Sequence, residues 1–404
     1  MSKPTLLVLA STFPRWRDDP EPGFVFELAR RLTTRFNVLA LVPSAPGALP
    51  RERMDGIEVI RFRYAPRSLE TLVNDGGIIT NLRRARWKLL LVPCFVISQA
   101  WLAVRLLRRR NIDFVHAHWL IPQGLIAAFV GFWAGRRRPF VVTSHGADLY
   151  ALRGKALNAL KRLVIRRAAA TTVVSSAMLD ELGRIGASIA NVQVRPMGVD
   201  LSGRFVPSPT VVRTPNEILF VGRLVEKKGL SVLLSAMPQI LCSHPSAHLT
   251  IAGFGPEEDV RRAQVKSLGL NAHVSFIGAV MQPDLPDVYR RAAVFVAPFV
   301  HANSGDREGL GLVAVEAAGC GCPVVVSDLE AIRDVFSEGQ ARFVRPGVVS
   351  ALADAICTVL DSPPSADAIE NVRESLRQKF DWSIVAEGYA SLLESLVQVE
   401  VGQQ

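Results

Sequence analysis

Glu217-Ile218-Leu219-Phe220-Val221-Gly222-Arg223-Leu224-Val225-Glu226-Lys227-Lys228-Gly229 is the stretch on which the fold turns. A short β-rich apolar run stops at Gly222, two cations follow at Arg223 and Lys228, and Leu230 to Leu241 then reads as a helix. A near-continuous apolar strand is the mark of a parallel sheet covered on both faces. Ligands of such sheets bind beyond the carboxyl ends of the strands. Cations at that edge suit a diphosphate, since opposite unit charges 4 Å apart attract by about 4 kcal/mol at an effective dielectric of about 20, before desolvation. A solvated loop would explain Gly222-Arg223 alone, but the surrounding pattern favours phosphate.

Moving toward the C-terminus, His248 to Ala252 reads as a strand ending at Gly253-Phe254-Gly255. Val274 to Ile277, Val294 to Ala297 and Pro323 to Ser327 continue the series. Glu308-Gly309-Leu310-Gly311 leads into an apolar stretch from Leu312 to Gly319. The glycines flank an expected helix start, where free N–H groups and the positive end of the helix dipole attract phosphate. The eight-residue spacing of Glu308 and Glu316 would put both on one side of a helix. Within so apolar a helix Glu316 needs a hydrogen-bonding partner, either ribose hydroxyls or a neighbouring arginine.

The N-terminal half repeats the alternation. Thr5 to Ala10, Asn37 to Val42, Phe114 to His116, Phe140 to Thr143 and Thr171 to Ser175 read as strands, with helices at Glu27 to Leu32 and Gln123 to Trp133. The expected fold class is therefore α/β, with two Rossmann-like, doubly wound domains. The join falls near Arg195-Pro196-Met197-Gly198-Val199-Asp200, where Pro and Gly mark a turn. This gives domains at 1–198 and 199–380. The tail, 381–404, is helical in period over Trp382 to Val397 and is expected to pack back on the first domain.

Composition agrees with large cores: 404 residues, 49% hydrophobic and 21% charged. Five cysteines, Cys94, Cys242, Cys320, Cys322 and Cys357, show no disulfide framework. Cys320 and Cys322 lack a second Cys/His pair and read as small buried residues rather than metal ligands. Scattered thiols suit a reducing cytosol, and the N-terminal apolar run is too short for a signal peptide. A formal charge of +10 calls for an anionic partner. No nucleic-acid-binding signature accompanies it, which leaves phosphorylated ligands and anionic membrane. Trp87 to Leu107 is long and apolar, with basic flanks. It suits a bilayer span, a core or dimer helix, or a peripheral membrane helix, and the flanks favour the last.

Taken in order, Glu308-x7-Glu316, Gly222-Arg223 with Lys228-Gly229, Gly253-Phe254-Gly255-Pro256 and Cys322-Pro323-Val324-Val325 resemble the retaining glycosyltransferase family 4, of GT-B fold. Phe13-Pro14-Arg15, His116-Ala117-His118-Trp119, Ser144-His145-Gly146-Ala147-Asp148 and Pro196-Met197-Gly198-Val199-Asp200 extend the resemblance over nearly the whole chain.

The resemblance implies two domains facing a central cleft. It implies a nucleotide-sugar donor, UDP- or GDP-linked, and a glycan or lipid-linked acceptor. No cofactor and no metal are expected, because side chains can carry the leaving group's charge and no metal-ligand cluster stands out; the scattered thiols, the net charge and the basic flanks of Trp87 to Leu107 point to a cytoplasmic site of action that extends to the inner-membrane surface. Arg223 and Lys228 would neutralise the donor diphosphate, with Gly222 and Gly253 beside them. Glu316 would hold the ribose, and Glu308 with Gly309, Leu310 and Gly311 would contact the sugar and its phosphate. His145 would sit by the reacting sugar and Gly23 in a loop over the phosphates. His118 and Asp148 are candidates on the acceptor side. The chain departs from the family at Glu21-Pro22-Gly23-Phe24, where adjacent glycines are usual, at Met197 in place of Asn, and at Val348 in place of an acid.

Other classes fit less well. A nicotinamide dehydrogenase would need G-x-G-x-x-G after its first strand, whereas Ser11-Thr12-Phe13-Pro14-Arg15 stands there. A nucleotide-sugar epimerase and a non-catalytic nucleotide-sugar-binding subunit remain as alternatives of the same fold.

Overall fold

The computed structural model describes residues 3–16, 19, 23–73 and 77–401, with side chains through 396. Glu21 and Pro22 of the N-terminal loop, and residues 402–404 of the tail, lie outside the described residues. The chain forms two compact units, one of Met1–Met197 with Val385–Gln404, the other of Gly198–Ile384.

The first unit runs β1 (Thr5–Leu9), α1 (Phe24–Leu32), β2 (Asn37–Pro43), β3 (Arg51–Met54), β4 (Ile57–Phe62), α2 (Gly77–Arg84), α3 (Leu91–Arg109) and β5 (Phe114–His118). It continues through α4 (Leu125–Ala134), β6 (Phe140–Ser144), α5 (Ala147–Tyr150), α6 (Lys155–Arg167), β7 (Ala170–Val173), α7 (Ser176–Arg184) and β8 (Val192–Val194). The strand order is β3-β4-β2-β1-β5-β6-β7-β8, parallel apart from β3 against β4. That hairpin turns at Asp55-Gly56, both with positive φ, as a two-residue turn matching strand twist requires. The direction of winding reverses between β1 and β5, so their carboxyl ends, around Ala10 and His118, flank a switch point.

Helix α3 carries the candidate membrane segment. Arg86–Arg109 is long and apolar enough to cross a membrane, and 33% of its most apolar window is buried. Phe95, Ala103 and Leu107 face inward. Buried Gln99 donates to the carbonyls of Ala10 and Leu41 at 3.3 and 3.2 Å and accepts from Gln123 at 3.2 Å. Pulling α3 into a bilayer would leave those groups unpaired, a cost of about 1–3 kcal/mol each. The fold therefore uses α3 as a layer over the sheet, and the spanning placement is set aside.

The second unit runs β9 (Glu217–Val221), α8 (Leu230–Ser243), β10 (His248–Ala252), α9 (Glu258–Ser267), β11 (Val274–Gly278), α10 (Leu285–Arg291) and β12 (Val294–Ala297). Then come α11 (Leu312–Gly319), β13 (Val324–Ser327), α12 (Glu330–Arg333), β14 (Arg342–Val344), α13 (Val349–Asp361), α14 (Ala366–Phe380) and α15 (Trp382–Val401). The all-parallel order β11-β10-β9-β12-β13-β14 is the doubly wound arrangement, with its switch point between β9 and β12. Its core packs Leu233, Leu234, Met237 and Ile240 of α8, with Leu352 and Ile356 of α13, against Ile218, Phe220 and Ile251. From Val385 onward α15 belongs to the first unit, where Arg35 pairs with Glu387 and Glu394 at 2.8 and 2.9 Å.

Candidate active site

In the second unit the switch point is built from loops pressed together backbone to backbone. Gly222 leaves β9 and donates to Ala252 at 3.0 Å. Gly253 leaves β10 with φ +139, and a Cβ there would lie 2.0 Å from the Gly222 oxygen. Gly229, φ +71, closes a single turn over Glu226–Lys228, and its Cβ would lie 1.7 Å from the Pro298 oxygen. No L side chain fits either place. These contacts lock the loop after β9 onto the chain leaving β12, and so fix Lys228.

Lys228 Nζ meets Glu308 Oε2 at 2.9 Å and lies 4.8 Å from the Phe299 ring centroid. The other Glu308 oxygen accepts from the Gly311 N–H at 3.2 Å. Burial opposes charge on Glu308, but Lys228 and Lys227 outweigh it and hold the carboxyl at about 2. Lys227 is itself anchored to Asp306 at 3.3 Å and to the Arg307 carbonyl at 3.0 Å. Gly311, φ +82, is the N-cap of α11, and Gly309 and Leu310 are buried just ahead of it. Glu308 thus precedes α11 instead of sharing a helix face with Glu316, because the chain needs Gly311 in a left-handed conformation to start the helix. Arg223, half-buried, stands one residue past Gly222.

Glu316 lies within α11, half-buried, and accepts from the Tyr289 hydroxyl at 2.9 Å. Burial pushes its carboxyl up to about 7, against the pull of Tyr289, Lys228 and Arg204. Its protein partner is therefore a tyrosine of α10, not the arginine weighed above. Tyr289 carried no motif, and nothing in local sequence marks it. Cys320 and Cys322 are buried thiols, and burial pushes Cys322 up to about 12. Among the described residues no group of three His, Cys, Asp or Glu could hold a metal ion.

In the first unit, His118 ends β5 and His145 follows β6, adjacent strands that pair His118 with Thr143. His118 Nδ1 and His145 Nε2 are 3.0 Å apart. Phe24 and Trp119 flank the His145 ring at 4.7 and 5.1 Å between centroids. Buried Asp148 accepts from the Leu120 N–H at 2.6 Å and the Ser144 hydroxyl at 2.9 Å, fastening the chain after His118 to the chain before His145. Burial raises its carboxyl, while those hydrogen bonds pull it down. Both of its oxygens are engaged inside the protein. Gly23 caps α1, its carbonyl accepting from Glu27 at 2.8 Å, and so carries Phe24 to the His145 ring.

Both halves of the chain resemble known proteins. Residues 24–198 match the family described as "Glycosyl transferase 4-like domain". Residues 206–375 match "Glycosyl transferases group 1". The glycogen synthase of Mycobacterium tuberculosis is 31% identical over 292 residues, 69% of this chain and 68% of that protein. The phosphatidyl-myo-inositol mannosyltransferase of the same organism is 29% identical over 387 residues, 92% of each chain. Among solved structures, Anabaena HepE in complex with UDP-glucose superposes with a TM-score of 0.74 at 19% identity, over 97% of this chain and 99% of that one. That likeness gives the GT-B fold of two Rossmann-like domains. With both halves matched in order and a 30%-class relative aligned over two thirds of each partner, the chain belongs to the group 1, family 4-like glycosyltransferases, enzymes that move a sugar from a nucleotide-sugar donor to an acceptor.

Proposed function

We propose that this enzyme moves a hexose-type sugar from a nucleoside-diphosphate sugar to a lipid-linked or polysaccharide acceptor, with retention of anomeric configuration and without a metal. The observation that carries the reading is the Lys228–Glu308–Gly311 cluster at the start of α11, at the switch point of its sheet. UDP is the favoured nucleotide, since HepE binds it, with GDP as the other candidate. The phosphatidyl-myo-inositol in one relative's name and the glycogen in another's support the acceptor class.

Arg223, Lys228 and the first N–H groups of α11 meet the diphosphate, with Gly222 and Gly253 letting the backbone approach and Gly23 closing over it. Glu316 holds the ribose. Glu308, Gly309, Leu310 and Gly311 hold the sugar, and His145 stands beside it. As the bond from the anomeric carbon to the diphosphate oxygen breaks, negative charge grows on the leaving group, and these cations stabilise it most in the transition state. The acceptor oxygen bonds to the same face of that carbon, and its proton passes to the leaving phosphate oxygen. A double displacement would need a carboxylate nucleophile, Glu308 or another. The oxygens of Glu308 are held by Lys228 and Gly311, which speaks for the same-face route over one through Glu308. Asp148, engaged on both oxygens, fits a supporting role better than contact with the acceptor.

The same reading places the enzyme in the cytoplasm, at an anionic membrane face. From Leu90, just before α3, the exposed stripe runs along the helix through Cys94, Ile97, Trp101 and then Arg105 and Arg108. Leu90 is 76% exposed and Trp101 61%. The end of α4 adds Phe132, 69% exposed, and Trp133, whose carbonyl accepts from Arg108 at 2.7 Å. Arg83, Arg84 and Arg86 flank one end of the stripe, and Arg136 and Arg137 follow α4. Apolar and aromatic side chains bounded by arginines suit a helix lying in the interface of an anionic bilayer.

Three measurements check this. A panel of UDP- and GDP-sugars with lipid-linked acceptors, in EDTA, should give a product whose new glycosidic bond keeps the donor's anomeric configuration by NMR. An inverted product would overturn the mechanism, and isomerised donor without acceptor would favour an epimerase.

The second concerns pH. A carboxyl raised to about 7 in the folded protein is protonated below that value, and its stabilising contribution is present below the ordinary value of 4.5 and lost as pH rises through 7. Ribose hydroxyls donate better to the ionised form, so nucleoside-diphosphate affinity should rise from pH 6 to 8 more in the wild type than in Glu316→Gln. Parallel profiles in the two proteins would remove Glu316 from the ribose.

The third is vesicle binding. Phosphatidylglycerol-containing vesicles should bind the enzyme in low salt and release it in high salt, each basic residue near the surface contributing about 1 kcal/mol. Trp101→Ser and Phe132→Ser should each weaken binding. Salt-independent binding, or none, would contradict the assignment.

A further inference from the structure

By resemblance His118 falls on the acceptor side and His145 beside the sugar, but their pairing gives His118 a different role. The two rings lie within 12° of parallel, yet their centroids are 5.2 Å apart and Nδ1 of one is 3.0 Å from Nε2 of the other. Rings so disposed meet edge to edge, which is the geometry of an N–H···N hydrogen bond. One of the two nitrogens holds the hydrogen and the other accepts it.

Burial lowers the ordinary histidine value for both rings, well below for His118 and to about 3 for His145. Each ring is therefore neutral near pH 7, with a single N–H. Their tautomers are then coupled. If His118 carries its hydrogen on Nδ1, His145 must carry its own on Nδ1. If His145 gives Nε2–H to His118, its Nδ1 is left as an acceptor. The nitrogen that His145 has left for a ligand is a donor or an acceptor according to its partner. We infer that His118 is a positioning residue for His145, fixing the orientation and the tautomer of the ring that stands beside the donor sugar. The inference rests on the role proposed above for His145.

The surroundings show why His118 can hold its place. It is 1% exposed at the end of β5, and its ring lies 4.2 Å from that of His116 between centroids. His116 is locked by a hydrogen-bonded chain whose direction is set from its far end. The Arg195 carbonyl only accepts, so the Tyr389 hydroxyl donates to it at 3.1 Å. Thr172 then donates to Tyr389 at 3.4 Å, Thr143 to Thr172 at 2.6 Å, and His116 Nε2–H to Thr143 at 2.8 Å. On the other side Asp148 ties together the chain segments that bear His118 and His145. Neither ring can turn without breaking a bond that burial makes costly to lose.

An asparagine amide reaches about where a histidine Nδ1 stands, and a glutamine amide about where Nε2 stands. Because His118 uses Nδ1, the two substitutions separate hydrogen bonding from simple space filling. His118→Asn should keep turnover within about threefold of wild type. His118→Gln and His118→Phe should lower kcat roughly tenfold or more, a misplacement effect, with donor KM within about twofold. Circular dichroism and thermal unfolding verify folding, and nitrogen-15 spectra of the histidines read the tautomer of His145 directly. A single dominant tautomer in wild type and His118→Asn, lost in His118→Phe, supports the role. Normal turnover in His118→Phe, or equal losses in all three variants, overturns it. Normal turnover in His145→Ala overturns it too, and in that case the role proposed for His145 falls as well.

Discussion

The ion pair of Lys228 with Glu308 is the contact around which the second unit is arranged. It joins the loop after β9 to the chain entering α11 at 2.9 Å, beside the close backbone approaches that Gly229 and Gly253 permit. Glu308 also occupies the Gly311 N–H at the helix start. The cation that would face a diphosphate, and the helix start whose following N–H groups would do the same, are therefore held in position by a carboxylate before any donor arrives. Such preorganisation is what electrostatic stabilisation of a leaving group needs, because the dipoles do not have to reorganise as charge develops.

The first unit solves a different problem with similar means. Among the buried polar groups of its sheet, His116, Thr143 and Thr172 pair with one another and with Tyr389. Tyr389 comes from α15, the helix that leaves the second unit and returns to the first. The last helix thereby satisfies polar groups that β5, β6 and β7 leave inside the sheet, beside the histidine pair.

Much of this was legible in the sequence. Most of the parallel strands announced themselves as apolar runs, β4, β8 and β14 excepted, and the strand beginning at Glu217 was readable to its last residue. The cations after β9 and the glycines before α11 were visible because a buried sheet has little other use for them. The β3–β4 hairpin went unread although Asp55-Gly56 is a strong turn signal, because Arg51–Met54 is too polar to resemble a strand. The expectation that Glu308 and Glu316 share a helix face failed, since periodicity does not show where a helix begins. Tyr289, Gln99 and the bond between His118 and His145 depend on contacts made across the fold, 27, 24 and 27 residues or more from their partners. No local pattern encodes them.

On the proposed function, charged side chains and helix-end N–H groups hold the donor's diphosphate. Calorimetric titration of UDP and of GDP into the wild type and Lys228→Gln, in EDTA at two salt concentrations, tests it most directly. At least one nucleotide should bind the metal-free wild type, added salt should weaken this binding, and Lys228→Gln should weaken it roughly tenfold or more, as loss of a charged partner does. Binding that appears only with a divalent cation, or that is unchanged in Lys228→Gln, would contradict it.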